Sequence, residues 1–427
     1  MRYNNIQSLS WVGIDIIHFF TDKGKIKRVS FSRIFIRRRM KILHTSDWHI
    51  GKKLMNRDRL DEQEQVLNEL LLLCEEREVE LILVAGDVFD TFLPSAEAEN
   101  LFFGAVRKLA GENRAVLIVS GNHDDGKRLC AAAPFAEELG VYIVGNGTGS
   151  LPLTSSRAVR PVLSGQGYVV FENKKGERVY VNTLPYPNEA RFKEEHSEES
   201  YKDKVLRWID RGQSAYDGTC PEIFLSHLFV AGGNRSDGER DIDLGGARVV
   251  ELDWLPKCDY VALGHLHKKQ CFSKYNAWYS GSLLEYSFDE AGLQKYAVLL
   301  ETDEKTVLST EEIPLQSGKK LIRLQSKSVE NALGLLAENG DKHVELTLTL
   351  DAPLTSEETH ALSAHKCLVS LIPQVKMQLS AGGVTGRKGK SKQELFDDYY
   401  RSVYGAEPST ELKSLFLEIA QEEEEGA

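Results

Sequence analysis

Five apolar runs in this sequence end in Asp, Asn or His side chains. The first run is followed by Asp47 and His49, which are one residue apart, and the last by His265 and His267 at the same spacing. In extended backbone, alternate residues lie on one face, so each pair can act on a single ion. Carboxylates and imidazoles suit Mn²⁺, Fe²⁺ or Zn²⁺, and the lack of an accompanying cysteine argues against a structural zinc site.

The remaining runs lie between these pairs. They are followed by Asp87 and Asp90, by Asn122 and His123, and by His227. Metals and phosphates bind at the carboxyl ends of strands in α/β sheets, so we expect all these runs to contribute to one site. If two metal ions lie there about 3.5–4 Å apart, one carboxylate must bridge them. Asp87 is our candidate because it ends the central strand.

The elements that must position these residues alternate between helix and strand. In chain order, the pattern predicts a helix within 57–78, a strand at 81–85, a helix at 95–109, a strand at 116–119, a helix at 127–139 and a strand at 141–144. This alternation indicates an α/β fold with a largely parallel sheet. Later segments include a helix over about 194–211 and a glycine-rich loop at 232–246, of the kind that covers active sites.

The pattern changes after a core domain that we place at residues 40–315. Alternating short strands and helices over 316–380 predict a small α+β domain. Residues 381–427 begin with a Gly/Lys-rich stretch, which is typical of a linker. They continue with amphipathic helices that start near Ser391 and Ser409. Such a helical pair either docks a partner or packs on its own core.

Residues 1–39 are unlike the rest of the chain. They hold nine Lys or Arg against two Asp or Glu, whereas the whole chain has a net charge of −11. The apolar run from Trp11 to Phe20 is interrupted by Asp15, and no small-residue cleavage site follows it, which argues against a signal peptide. Our hypothesis is that Met40 is the true start and that the preceding extension is disordered or not native. The alternative is a basic arm that binds DNA.

The composition is that of an ordinary soluble protein of 427 residues, with 41% hydrophobic and 27% charged residues. The six cysteines form no CxxC pair and several lie in apolar runs, so we expect reduced thiols and a cytoplasmic location. No apolar stretch reaches the length of a membrane span. The acidic net charge counts weakly against a general nucleic-acid binder, although local basic patches and metal ions can still hold DNA.

Taken together, these segments resemble the ordered motifs of the calcineurin-like metallophosphoesterases. The motifs are Asp-x-His, Gly-Asp-x-x-Asp, Gly-Asn-His-Asp, a later His and Gly-His-x-His, and they cover most of residues 41–267. Within that superfamily the chain is similar to the SbcD family of nuclease subunits, on segments 45–51, 86–91, 184–186, 227–233, 262–267 and 279–283. The resemblance implies an α/β fold: a two-sheet sandwich flanked by helices, with a small α+β capping domain and C-terminal helices that bind a partner.

The resemblance also implies roles for individual residues. One metal ion would be held by Asp47, His49, Asp87 and His267. The other would be held by Asp87, Asn122, His227 and His265. His123 would stabilise or protonate the leaving oxygen, a role that suits the pKa of histidine. Asp90 or Asp124 could orient it, and we favour Asp90 because the family often pairs these two motifs.

The implied activity is that of a Mn²⁺-dependent DNA nuclease with two divalent ions. It would act as a 3′→5′ exonuclease on double strands and as an endonuclease on hairpins and single strands. By the same resemblance it would form a homodimer and work with the SbcC ATPase in DNA repair, replication and recombination. The sequence has no P-loop, so any ATP dependence must come from that partner.

Basic residues follow several motifs and predict a positive rim that grips DNA phosphates without reading bases. They are Lys52, Lys53, Arg57 and Arg59, then Lys127 and Arg128, then Lys268 and Lys269. Exposed Lys and Arg are common on any surface, so this clustering can also be incidental.

Two other functions stay open. The first is a phosphatase or small-molecule phosphodiesterase on the same scaffold, because fold does not fix substrate. Hydrolysis of a chromogenic phosphodiester without any cleavage of DNA would favour it. The second is a scaffold subunit that only tethers DNA and SbcC, and the full set of candidate ligands argues against that function.

Overall fold

This computed structural model describes most of the chain. The described residues are 12–22, 25–36, 39–147, 149–153, 156–188, 198–234, 249–375, 391–404, 408–410, 412–414 and 416–417. The chain divides into two compact units. The first consists of Met1–Thr349 and Leu354–Gln374, and the second of Leu350–Pro353 and Val375–Ala427. The sheets that carry the candidate site lie in the first unit.

The secondary structure follows the alternation expected from the sequence. The strands β1 to β18 are Val12–Asp22, Lys25–Ile36, Lys41–Thr45, Leu81–Ala85, Ala115–Val119, Val141–Val144, Arg160–Gly165, Tyr168–Glu172, Arg178–Leu184, Glu222–His227, Tyr260–Gly264, Gln270–Phe272, Ala277–Tyr279, Lys295–Thr302, Val307–Leu315, Leu321–Ser326, His343–Leu350 and Leu368–Val375. The helices with described bounds, α1 to α8, are Leu60–Glu76, Ala96–Ala110, Gly126–Leu129, Ala133–Glu138, Tyr201–Gln213, Val329–Glu338, Ser356–Ser363 and Lys392–Tyr404. Among the described residues, none of the helices combines the length and hydropathy that a bilayer span requires.

The first sheet has six strands in the order β15-β14-β3-β4-β5-β6. Strands β3 to β6 run parallel, so their carboxyl ends share one edge. Side chains of β4 alternate between the two faces: Ile82 and Val84 pack with helix residues such as Phe102 of α2, and Leu81 and Leu83 lie on the other face. Because both faces are covered, the strand is apolar throughout, as its sequence predicted.

The second sheet has seven strands in the order β12-β13-β11-β10-β9-β8-β7, and it packs against the first. The core between them joins Leu83 and Val119 of the first sheet to Val181 and Leu225 of the second. The outer face of the second sheet packs on α5 through Trp208. The predicted two-sheet α/β sandwich flanked by helices is therefore confirmed.

A third sheet has the order β16-β17-β18, with β16 and β17 parallel across the α6 crossover. A buried group of four residues, which we call the Arg59 cluster, joins its strands to α1: Arg59, Glu62, Glu285 and His343. Glu62 accepts from Arg59 Nη2 at 2.8 Å and lies 2.7 Å from His343 Nε2. Burial alone would raise the pKa of Glu62, but its bonds to His343 and Arg59 lower it to about 2.

Within the N-terminal extension, β1 (Val12–Asp22) pairs with β2 (Lys25–Ile36) in antiparallel orientation. The expectation that this extension is disordered is therefore wrong for these strands, which are rich in the Ile, Val and Phe residues that favour extended backbone. That the extension is not native stays a prediction.

Other sequence-based expectations fall partly outside the described residues. They are the start of the helix over 194–211, most of the loop at 232–246 and the linker before residue 391.

Candidate metal centre

The two sheets bring their carboxyl strand ends together, and the predicted metal ligands lie buried there. The first sheet contributes Asp47 and His49 after β3, Asp87 after β4, and Asn122 and His123 after β5. The second sheet contributes His227 at the end of β10 and His265 and His267 after β11. The structure thus brings all the residues of the two predicted ligand sets into one centre.

The backbone of this centre is strained. Asp47, His49, Asp87 and His265 have φ angles of 52°, 44°, 50° and 110°, which L-residues rarely adopt. Each such residue costs of order 1–3 kcal/mol, and this strain persists only where the surroundings enforce it. Here the main-chain N–H of Asp47 donates to Gly86 O at 3.0 Å and that of His49 to Asp87 O at 2.9 Å. The strained segments are therefore tied to one another.

Glycine is required where the sheets approach each other most closely. A Cβ atom at Gly264, the last residue of β11, would lie 1.8 Å from the main-chain oxygen of Ala85 in β4. A Cβ atom at Gly86, which has a φ of 79°, would lie 2.5 Å from His227 Nδ1. The absence of both side chains lets the strand ends of the two sheets meet.

His49 and His267 face each other across the centre, with their Nε2 atoms 3.0 Å apart. Nδ1 of His267 lies 2.9 Å from Glu290 Oε1, and Nδ1 of His49 lies 3.5 Å from Asp90 Oδ1. A carboxylate only accepts, so each favours a proton on the nearby Nδ1 and leaves a lone pair on Nε2. Two lone pairs at this separation repel each other unless a cation lies beside both.

His227 and His265 converge on the side-chain oxygen of Asn122. Asn122 Oδ1 lies 2.7 Å from His227 Nε2 and 2.9 Å from His265 Nδ1. His227 Nδ1 donates to the main-chain oxygen of Ala85 at 2.8 Å, which leaves Nε2 toward the Asp87 carboxylate, 3.4 Å away. This arrangement again directs nitrogen and oxygen lone pairs to one place.

The pKa values show where the charge of the centre lies. Burial raises the pKa of Asp47 to about 7. Burial acts in the same direction on Asp87, but the imidazoles of His227, His123 and His49 outweigh it and hold its pKa well below the usual range. Burial would lower the pKa of His227, yet the Asp87 carboxylate raises it to about 9. The negative charge is therefore concentrated on Asp87, between the histidines.

Overlapping groups in this centre place possible ligand atoms within 4.8 Å of one another. The groups are Asp47 with His49 and His267, Asp47 with Asp87 and His227, and His49 with Asp90 and His123. Buried carboxylates and imidazoles with facing lone pairs form a donor set suited to divalent first-row ions. The residues present therefore fit divalent metal ions.

His123 is held by the main chain of Asp90. Its Nδ1 donates to the Asp90 carbonyl oxygen at 2.7 Å, whereas the Asp90 carboxylate is 4.0 Å from Nδ1 and accepts from Lys52 Nζ at 2.8 Å. Asp124 accepts from three main-chain N–H groups and closes the turn. Asp90 therefore contacts the imidazole of His123 through its carbonyl group.

The sequence reasoning missed a layer of residues behind the histidines. Glu290 is fully buried, faces Nδ1 of His267, and accepts from Lys295 Nζ at 2.5 Å. Gln63 of α1 donates to the main-chain oxygen of His49 at 2.8 Å. No spacing rule singles these residues out. The one signal is that Glu290 and Lys295 closely follow the Tyr-Ser-Gly-Ser-Leu segment that the family resemblance marked.

The predicted basic rim divides into exposed and bonded residues. Lys53, Lys127 and Lys268 are exposed and make no ion pair within the described parts of the chain. Lys52 bonds to the carboxylate of Asp90 and Arg128 to the carboxylate of Glu99. Arg57 donates to the main-chain oxygen of Leu368. Lys269 pairs with Glu312. Arg59 is buried, so its assignment to an exposed rim is wrong: its guanidinium neutralises Glu62.

Comparisons with known proteins agree with this geometry. The chain matches the calcineurin-like phosphoesterase family over residues 40–269. It is 34% identical over 403 residues to the SbcD subunit of the nuclease SbcCD from Bacillus subtilis (strain 168), covering 90% of this chain and 99% of that protein. A solved dimetal phosphatase from Danio rerio is 11% identical, with a TM-score of 0.34 over 65% of this chain and 99% of that one, a likeness too weak to support an argument. The chain therefore belongs to the calcineurin-like phosphoesterases and, within them, to the SbcD family of nuclease subunits.

Proposed function

We propose that this chain is a Mn²⁺-dependent DNA nuclease subunit that acts with the SbcC ATPase in DNA repair, replication and recombination. The observation that carries the proposal is the convergence of buried Asp, Asn and His side chains from both sheets in a member of this family. The SbcCD nuclease named among its relatives supports the partner. From the same family relationship we infer two activities on DNA. The chain would digest double-stranded ends as a 3′→5′ exonuclease and cut hairpins or single strands internally as an endonuclease.

We infer two ligand sets from the family resemblance, and the contacts in the centre support them. Asp47, His49, Asp87 and His267 would hold one ion, and Asp87, Asn122, His227 and His265 the other. Asp87 is shared because its carboxylate lies 3.6 Å from His49 Nε2 and 3.4 Å from His227 Nε2. When bound, such ions polarise the phosphoryl oxygens and lower the pKa of water, which supplies the nucleophile for hydrolysis.

The protein's own residues then act on the leaving group. His123 Nδ1 is committed to the Asp90 carbonyl oxygen at 2.7 Å, so Nε2 is the nitrogen that can hold a proton for the leaving oxygen. The main-chain N–H of His123 donates to Asp87 Oδ1 at 2.8 Å, which fixes the imidazole relative to the shared carboxylate. His123 is therefore the proton donor of the proposed reaction.

The remaining segments have proposed roles as well. We assign residues 40–315 to the nuclease domain, 316–380 to the capping domain and 381–427 to the linker and SbcC-binding helices. Arg57 links the first two, since it follows the Asp-x-His motif and donates to the main-chain oxygen of Leu368 at 2.5 Å. The chain would form a homodimer in its complex with SbcC.

The test is cleavage of end-labelled hairpin DNA by the chain from Met40, with Mn²⁺, Mg²⁺ or EDTA. We expect cleavage that requires Mn²⁺ and is lost in Asp87→Asn, because that change removes the shared carboxylate charge. Glu222→Gln is the matched control. Glu222 is a buried carboxylate that begins β10, at the end of the strand remote from His227 and the metal centre. Hydrolysis of a chromogenic phosphodiester with no DNA cleavage, even after SbcC and ATP are added, would contradict the nuclease and favour a small-molecule phosphodiesterase.

A further inference from the structure

The histidines of the centre differ in what holds their outer nitrogen. His267 Nδ1 lies 2.9 Å from a carboxylate oxygen of Glu290. His227 Nδ1 instead donates to the main-chain oxygen of Ala85, a neutral acceptor, at 2.8 Å. A carboxylate behind an imidazole fixes the tautomer and makes the opposite nitrogen a stronger donor to a metal ion than a carbonyl does. The two halves of the centre are therefore unequal.

Lys295 keeps Glu290 in place. Its Nζ atom donates to Glu290 Oε2 at 2.5 Å, to Ser282 Oγ at 2.9 Å and to the main-chain oxygen of His267 at 3.0 Å. Both side chains of this ion pair are at most 4% exposed. Because Lys295 bonds to the carboxylate and to the backbone of His267, it fixes the distance between Glu290 and the imidazole. The pair has no contact with the other histidines among the bonds described.

We propose that Glu290 and Lys295 are positioning residues for His267, and that they make one of the two metal ions bind more tightly than the other. This inference rests on the proposed function and deepens it. The tighter ion is the one held by Asp47, His49, Asp87 and His267. That set has two carboxylates and a carboxylate-backed imidazole, whereas the second set has one carboxylate and an amide oxygen.

The test is a titration of the metal-free full chain with Mn²⁺ alone. Calorimetry measures the affinities, and electron paramagnetic resonance reports how many bound ions are magnetically coupled. For the wild type we expect two classes of site. In Glu290→Gln we expect the tighter class to weaken about 10–100-fold, while the weaker class keeps its affinity. At Mn²⁺ concentrations that fill both sites of the wild type, the spectrum of the variant should show a larger share of uncoupled ions.

A second variant separates positioning from folding, because Glu290→Gln leaves the Lys295 ammonium buried without its counter-charge. Glu290→Gln/Lys295→Met removes both charges, so we expect its unfolding midpoint to recover while the tighter class stays weak. Wild-type binding by this double variant, or equal weakening of both classes in Glu290→Gln, would overturn the proposal. So would two equal sites in the wild type. A wild-type chain that binds no Mn²⁺ would instead contradict the proposed function itself.

Discussion

The metal centre and the Arg59 cluster are both buried groups of carboxylates and histidines, but their charges are balanced differently. In the Arg59 cluster, Glu62 lies 2.8 Å from the Arg59 guanidinium and 2.7 Å from His343. The cation belongs to the chain, so folding completes the cluster. In the metal centre, no described Lys or Arg forms an ion pair with Asp47 or Asp87, whose titratable partners are imidazoles.

The two regions also differ in backbone. Glu62 lies in the first turn of α1 and His343 begins β17, and no residue of the Arg59 cluster has a positive φ. The metal centre places Asp47, Asp87 and His265 at positive φ, at a cost that regular structure avoids. The difference teaches that burial alone does not mark a metal site. Strained backbone and carboxylates without a protein cation do mark one.

The largest expected effect separates catalysis from metal binding inside the centre. In His123→Ala the proton donor is lost, so we expect DNA cleavage to fall about 10²–10⁴-fold. Mn²⁺ stoichiometry and SbcC binding should be retained, because His123 lies outside the proposed ligand sets. Cleavage assays and Mn²⁺ titration measure the two properties, with exposed His360→Ala as the control.

One contrary outcome for His123→Ala would redraw the centre. His49, Asp90 and His123 also place ligand atoms within 4.8 Å of one another. Loss of one Mn²⁺ ion in this variant would make His123 a ligand, and unchanged cleavage would remove its catalytic role.

The next effect tests the Arg59 cluster. Glu62→Ala leaves the buried Arg59 guanidinium without its counter-charge, so we expect the free energy of unfolding to fall by about 3–5 kcal/mol. Mn²⁺ stoichiometry should not change. Urea denaturation at neutral pH measures the loss, and Glu64→Ala, exposed on the same helix, should stay within about 0.5 kcal/mol of the wild type.

The acid dependence of Glu62 refines this comparison. Its pKa is about 2 in the folded chain against an ordinary 4.5, so its stabilising contribution is complete above pH 4.5 and disappears as the pH falls toward 2. The stability difference between wild type and Glu62→Ala should therefore shrink over that interval. A difference that is independent of pH would show that packing, rather than charge, holds the cluster.

The smallest expected effect lies at the exposed surface. Lys53→Ala, Lys127→Ala and Lys268→Ala should each weaken DNA binding modestly and reduce the salt slope by about one. Filter binding at several salt concentrations measures both quantities. Lys305→Ala, in the exposed turn between β14 and β15, is the control. Equal effects in this control would mean that no rim of lysines engages DNA.

The centre could be predicted from sequence because its residues directly follow apolar strands. Asp47, Asp87 and His265 are each fixed by a short segment whose spacing and position carry the signal. Glu290 and Lys295 could not be found in this way, because their role depends on a tertiary contact with His267. The one signal in the sequence is that they closely follow the Tyr-Ser-Gly-Ser-Leu segment.

The errors in the expected fold and in the expected basic rim arose in the same way, because residues were judged by their type or composition and not by their tertiary contacts. Arginine is a residue type that is mostly found at the surface. Arg59 can be buried because its guanidinium donates to the carboxylate of Glu62 and to the main-chain oxygen of Glu285. The hairpin of β1 and β2 was missed because the basic composition of residues 1–39 outweighed their alternating apolar residues. The two-sheet sandwich was predicted because the motifs resemble the calcineurin-like metallophosphoesterases, whereas the alternation of strands and helices by itself indicated only a largely parallel sheet.

The close approach of Gly264 to Ala85 has a consequence for sequence variation. A Cβ atom at position 264 would lie 1.8 Å from the Ala85 oxygen, so this position admits no larger residue without parting the sheets. Leu83 and Val181, which lie within the sandwich core, can be exchanged for apolar residues of similar volume. Tolerance to mutation should therefore decrease along each strand toward its carboxyl end, and a library of variants would show this gradient residue by residue.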